Sequence, residues 1–375
     1  MAQDFQGSIA QLFINYATNF VVSVVPGQNY YNVLLFMGVT EATGNILGAA
    51  PTAGEKLDVK SSTLSTICEG ALLGYLSAFF ANNTTTGVSI VFYDDSLVTT
   101  GTFPAGAVTA LTTQFNAYKT LGYFKMMTLH NNIAANIALA TLCEGDTLLS
   151  KCWIDANDAQ MLVVDSTTSM YGAAKIAGVH PVIIYHPDAT KSPCLAQLGL
   201  SLGVINGSGT PVGNSLDYLA SNVMVPSGTA GASLSSTDMA TLEAIHCGFY
   251  LYVGDGSGNT AVYGGKDCGG NLAAALWITQ YIDYVSAVET AVLITSGTAF
   301  NNSGTYACIL QILRANINLF VPMGRLSSVV ISAPSYANLP PVEGDMITIP
   351  NAWSAKYNDN LRSVNVQGTL YISGS

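Results

Sequence analysis

The chain has 375 residues, 49% of them hydrophobic and only 9% charged, with a formal net charge of −11 and a mean hydropathy of +0.37. A 39.1 kDa monomer exposes about 14,000 Å² by mass scaling, so 12 Lys+Arg and 23 Asp+Glu leave one charge per about 400 Å², the scale of the largest apolar patch on an ordinary monomer. The acidic balance, with no Lys/Arg cluster, excludes phosphate-backbone binding, and nucleic acid is not expected as a partner.

The most apolar long stretch, Leu272 to Ile294, is interrupted by Thr279, Gln280, Asp283, Ser286 and Glu289, so membrane insertion is not expected. Met1 to Gly7 carries no basic segment ahead of an apolar one, which points to synthesis in a cytoplasm without a secretory signal. A thinly charged surface with no membrane span predicts a subunit covered by other subunits.

In chain order, Phe20 to Val25 is a β-branched run stopped by Pro26-Gly27, the pattern of a strand and a turn. Tyr30 to Met37 is a second apolar run, followed by a Gly/Ala/Thr-rich loop to about Ala53. Ser61 to Asn82 predicts one helix, with Leu64, Ile67, Cys68, Leu72, Tyr75 and Phe79 at helical spacing. Val88 to Tyr93 reads as a strand ending in Asp94-Asp95-Ser96. A helix over 106–121, a strand over 123–127 and a helix over 131–142 continue the alternation, which argues for an α/β body rather than a β-sandwich.

Met161 to Asp165 and Pro181 to His186 both have the composition of buried strands, and Ser201 to Thr229 is a Gly/Ser/Asn/Pro-rich stretch. Ser235 and Asp238 occupy capping-box positions for a helix ending near Cys247-Gly248. Phe249 to Val253 and Thr260 to Tyr263 flank Gly254 to Asn259, a hairpin pattern. Two long helices follow, one with Trp277, Tyr281, Tyr284, Val285 and Val288 on one stripe, the other with Tyr306, Ile309, Leu313 and Ile317. After a Pro-containing connection, Val364, Val366, Leu370 and Ile372 alternate with polar residues as a closing strand. Such a strand either folds back as an edge or pairs with the sheet of a neighbouring subunit.

The fold class is therefore mixed α/β, with five expected segments: an arm over 1–25, α/β parts over 26–155 and 156–232, a helix-rich part over 233–350, and a terminal arm over 351–375.

Few residue groups point to chemistry. Asp165, Thr167 and Ser169 fit D-x-[ST]-x-S after an apolar run, a pattern that places a carboxylate and hydroxyls around a divalent cation, although the same residues also cap helices. His180 and His186 bracket a strand at even spacing without a nearby acid or thiol in sequence, while His130 and His246 are isolated. Asp94-Asp95 forms either a carboxylate pair or a solvated turn. Gly254 to Gly258 precedes a β-type segment and so lacks the helix that a phosphate cradle needs. Walker A, G-x-S-x-G and H-E-x-x-H are missing, and no catalytic residue, cofactor site or metal site is nominated. The seven cysteines, Cys68, Cys143, Cys152, Cys194, Cys247, Cys268 and Cys308, show no C-x-x-C spacing. They read either as small buried hydrophobes or, given the odd count, as including a bridge between chains or a free thiol.

The succession of elements resembles the contractile tail sheath proteins of bacteriophages, in their compact class. It is carried by Gly74 to Phe80 followed by Gly87 to Phe92, by Gly178 to His186 leading into Cys194-Leu195-Ala196, and above all by Leu234 to Arg325, with the Val364 to Ile372 strand where such proteins extend an arm. The resemblance implies a sheath-type core with N- and C-terminal β-arms that add strands to neighbouring subunits. It implies a virion protein that polymerises with itself around a tail tube protein, meets baseplate and tail-terminator proteins, and contracts to drive the tube through the host envelope. It also implies that the chain is not an enzyme, and that thiols between bodies tune the extended state. The alternatives are another structural virion protein, tube or capsid, expected to be shorter or more purely β, and a metal-dependent adhesion module using Asp165, Thr167 and Ser169.

Overall fold

The computed structural model describes residues 32–81, 83–84, 86–99, 102–129, 132–146, 150–203, 220–221, 224–228, 233–252, 260–295, 302–331, 333, 335–338 and 354–357. The expected strands Phe20 to Val25 and Val364 to Ile372, the Gly254 to Gly258 loop and most of Ser201 to Thr229 lie outside the described residues.

The strands are β1 (Val33–Gly38), β2 (Lys56–Val59), β3 (Val88–Tyr93), β4 (Lys125–Thr128), β5 (Lys151–Ala156), β6 (Val182–Tyr185), β7 (Ala220–Ser221), β8 (Gly248–Tyr252), β9 (Thr260–Tyr263), β10 (Leu326–Val330) and β11 (Ser354–Tyr357). The helices of eight residues or more are α1 (Gly70–Phe80), α2 (Ala105–Tyr118), α3 (Ile133–Glu144), α4 (Met170–Ala177), α5 (Pro193–Gly203), α6 (Ser236–Ala244), α7 (Ala273–Thr295) and α8 (Ser303–Asn318).

Among the described residues, nine strands form one sheet in the order β2-β3-β1-β4-β5-β6-β8-β9-β7. From β3 to β8 all neighbours are parallel, while β2 at one edge and β9 and β7 at the other run antiparallel. Parallel neighbours need crossovers, and the intervening helices supply them on both faces. β1 and β3 are buried at every position, which is why they appear in the sequence as largely apolar runs rather than alternating ones, with Ser89 of β3 bonded to Asp58 and Tyr123.

The period of two along β1 divides the interior. Val33, Leu35 and Met37 pack with Leu72, Leu76 and Phe79 of α1 and Leu195 and Leu198 of α5. Leu34 and Phe36 face the other way, onto Leu111 and Phe115 of α2 and Leu139 of α3. α1 and α5 approach so closely that a Cβ on Gly199 would lie 2.2 Å from the Phe79 carbonyl oxygen. A third core lies between α7 and α8, where Phe320 packs edge to face against both Trp277 and Tyr281, and Ile309, Leu313 and Ile317 close the stripe. Phe124, just before β4, reaches into this third core. β10 and β11 form a separate antiparallel ladder beside it.

Several sequence expectations need correction. The helix expected over 61–82 is two elements, a turn at Leu64–Ile67 and then α1. Between them Gly70 takes a φ of +58° against Gly44, the Cys68 backbone pairs with Ile46, and the Asn45 side chain accepts from Leu72 N–H at 3.0 Å to cap α1 from outside. Met161 to Asp165 is not a strand. A 3-10 turn covers Ala159–Leu162, Val163 and Val164 are 50% and 70% exposed, and β5 pairs directly with β6, so the sheet has no slot for another strand there. The loop expected after β1 includes a helical turn at Val39–Ala42 and runs into β2, and β5 and α5 were not anticipated, whereas α4 is the helix that the capping alternative for Asp165, Thr167 and Ser169 implied.

Candidate functional site

In an open parallel sheet, ligands sit beyond the carboxyl ends of the strands, near the point where successive connections leave for opposite faces. Here that point falls between β1 and β4, because α1 follows β1 on one face and α2 and α3 flank β4 on the other. The polar groups of this edge are Glu41, Asp95, Asn136, Asp155 and His186.

Asp94 and Asp95 do not act as a pair. Asp94 is exposed and accepts from Ser96 N–H at 2.9 Å, and the Ser96 hydrogen bonds hold its carboxyl below the usual range. Asp95 is 2% exposed and accepts from the Thr40 backbone N–H at 2.7 Å and from the Thr40 hydroxyl. It occupies the space a side chain at position 38 would need, since a Cβ on Gly38 would lie 1.9 Å from its carboxylate oxygen.

Asp155, which sequence reasoning missed, ends β5 at the N-terminus of α5. One of its oxygens accepts from Cys194 N–H at 2.8 Å and the other from the Ser192 hydroxyl. Burial pushes its pKa up to about 6, against the opposing pull of these two donors. The Ser192-Pro193 pair, a helix start with Pro at the first position, was the one sequence signal for this junction. Asp155, Tyr75, Thr128, Asn136, His186 and Lys191 line a cleft beyond β4, β5 and β6.

His186 is buried and fully engaged. Its Nδ1 accepts from Asp188 N–H at 3.2 Å, which leaves Nε2 to donate to the Val225 carbonyl at 3.2 Å, and burial holds its pKa below the usual histidine value. Both ring nitrogens are thus engaged by backbone groups. His180 is at the other end of β6, about 20 Å away by strand rise, where its Nδ1 lies 2.8 Å from Glu144. Even spacing placed the two histidines on one face but not in one site, and Glu144 was invisible because 36 residues separate it from His180. His246 has a φ of +57° and packs on the Gly270 turn.

The cation reading of Asp165, Thr167 and Ser169 lacks its strand. Asp165 follows two exposed valines and has a φ of +55°. Ser169 Oγ caps α4, accepting from Gly172 N–H at 3.0 Å and donating to the Ser166 carbonyl at 3.1 Å. Among the described residues, no three His, Cys, Asp or Glu side chains converge as metal ligands.

Of the seven thiols, Cys68, Cys143, Cys152, Cys194 and Cys247 are buried, Cys268 is half-buried and Cys308 is exposed on α8. Burial pushes Cys68 up to about 11, and raises Cys143, Cys194 and Cys247 well above the usual thiol value. Such thiols are poor nucleophiles. Asp95 and Asp155 thus tie strand ends to neighbouring helix starts through hydrogen bonds from Thr40, Ser192 and Cys194.

Compared with protein-family models and with curated proteins, the sequence matches none. The fold does match, at a TM-score of 0.61 and 11% sequence identity, over 94% of this chain and 97% of the other. The likeness is to a chain in the cryo-EM structure of the anti-feeding prophage baseplate, determined with 6-fold symmetry, and it establishes a common fold.

Proposed function

We propose that this chain is a structural subunit of a contractile, phage-like injection assembly, and within it a sheath subunit that polymerises with itself around a tail tube. The observation that carries this is the fold shared over 94% of the chain with a chain of the anti-feeding prophage baseplate structure. Composition supports it independently, since 9% charge with no helix long and apolar enough to cross a membrane among the described residues suits a body covered by other subunits. The sheet flanked by helices argues against a tube protein, expected to be more purely β.

In this assembly the β10–β11 ladder receives strands. Among the described residues it has two strands, and a short antiparallel ladder of this kind is a suitable template for strand addition. The Val364 to Ile372 segment of a neighbouring copy, apolar at every second position, supplies one. Energy for contraction is held in subunit packing rather than drawn from a nucleotide. Baseplate and tail-terminator proteins cap the polymer, and the assembled particle is a virion or virion-like tail.

Co-expression with the tube protein of the same particle, followed by electron microscopy, tests the proposal. Tubes wrapped in a regular outer layer of this chain support the sheath role. Incorporation only at one end of the tube would move the chain to the baseplate.

A further inference from the structure

Two lysines stand side by side where the sheet meets α7. Lys125 opens β4 and Lys151 opens β5, and the two strands pair in parallel with these residues in register, so both side chains leave the same face of the sheet. One enclosed carboxylate serves this corner. Asp267 takes Lys151 Nζ on Oδ2 at 2.7 Å and the Asn271 N–H on Oδ1 at 2.9 Å, so both of its oxygens are engaged. Lys125 instead lies over an aromatic ring, its Nζ 4.9 Å from the centroid of Trp277 in the second turn of α7.

Lys125 is 5% exposed, and Phe124 before it is built into the third core between α7 and α8. The pull of an indole face on a cation is smaller than the cost of taking an ammonium out of water, and enclosure holds the Lys125 pKa well below the usual lysine value. A neutral amine fits this junction, whereas an ammonium strains it. When α7 lifts, water returns to Nζ and the amine regains its ordinary affinity for a proton.

We propose that Lys125 is a proton-operated latch on the joint between the sheet and the α7–α8 unit, neutral while α7 is seated and charged when it is lifted. The other charged groups about the junction are Lys151 and Asp267, which neutralise each other, and Asp146, whose Oδ2 accepts from the Ser150 hydroxyl at 2.6 Å. Cys268 follows Asp267, and His180 and His246 flank the same turn at Gly269 and Gly270. Because enclosure lowers the Lys125 pKa, seating is strongest above the ordinary lysine value and weakens as pH falls, until the seated pKa is reached. The latch belongs to the single subunit and does not depend on a sheath role.

The test is hydrogen exchange of the full-length protein, read by mass spectrometry at about pH 6, 7 and 8 with times scaled to the intrinsic exchange rate. Protection of the 273–282 segment of α7 should fall by up to about tenfold for each pH unit lost, the linkage of one proton to opening. Lys125→Met, of similar length without the charge, should be better protected at the lowest pH. His180 and His246 titrate in the same range, and the ratio of parent to Lys125→Met cancels their share. Lys125→Arg, charged at every pH, should leave 273–282 unprotected throughout while the β1 and β3 segments keep their protection, which separates a lifted joint from an unfolded sheet. Should the arginine variant fail to fold, the methionine ratio decides alone. A ratio constant with pH, or a folded arginine variant as protected as the parent, would overturn the proposal.

Discussion

Lys151 Nζ stands 2.7 Å from Asp267 Oδ2, and the Asp267 side chain is fully enclosed. The pair joins the first residue of β5 to the turn before α7, where Asn271 N–H also donates to Asp267 at 2.9 Å. A second link between the sheet and α7 is Lys125 Nζ, 4.9 Å over the Trp277 ring. Removing one member of an enclosed pair strands the other charge. Lys151→Met and Asp267→Ala should each cost about 3–5 kcal/mol in urea unfolding. The double variant Lys151→Met/Asp267→Ala should cost less than the two single changes together.

Asp155 supplies a pH signature. Its folded pKa, about 6, lies above the unfolded value near 3.8, so its contribution is fully present below about pH 4 and is lost as pH rises through 6. At pH 7 the loss amounts to about 3 kcal/mol. Asp155→Asn keeps an acceptor for Cys194 N–H and removes the titration. The variant's stability relative to the parent should therefore rise between pH 4.5 and pH 7 in parallel denaturant melts, and a difference constant with pH would contradict the account.

Two helix glycines should respond in opposite ways. Gly199 lies against the Phe79 backbone, and Gly199→Ala should destabilise by about 1–3 kcal/mol as α1 and α5 are forced apart. Gly74 in α1 has open space where a Cβ would go, and Gly74→Ala should stabilise by about 0.5–1 kcal/mol through backbone entropy. Thermal melts of both variants decide it.

Thiol accessibility makes a third contrast. Native alkylation should label Cys308 first and Cys268 more slowly, leaving the five buried thiols until the chain unfolds. Mass spectrometry over time would show one rapid addition. Five or more rapid additions would mean that the sheet interior is open.

The parts of the fold legible in the sequence were those where local composition and burial agree. β3 and β6 are buried, mainly apolar strands, α6 begins at a Ser235 that caps it through Asp238 N–H at 3.1 Å, and the β8–β9 hairpin pairs as its flanking runs predicted. β5 was hidden because Lys151 and Asp155 give it a polar look, and both charges are satisfied by residues far along the chain, Asp267, Ser192 and Cys194. Met161 to Asp165 misled for the converse reason, since Val163 and Val164 are β-branched but face solvent. The Asp155 junction needed tertiary information, whereas the order of elements across the chain carried the resemblance to a contractile assembly without any catalytic motif.

Sedimentation velocity of the purified full-length chain across a wide range of concentration addresses the central claim most directly. The account predicts growth from single subunits to large, regular polymers, and loss of that growth, with the fold intact by circular dichroism, when Val364 to Ser375 are removed. A single monomeric boundary at every concentration, unchanged by that deletion, would contradict it.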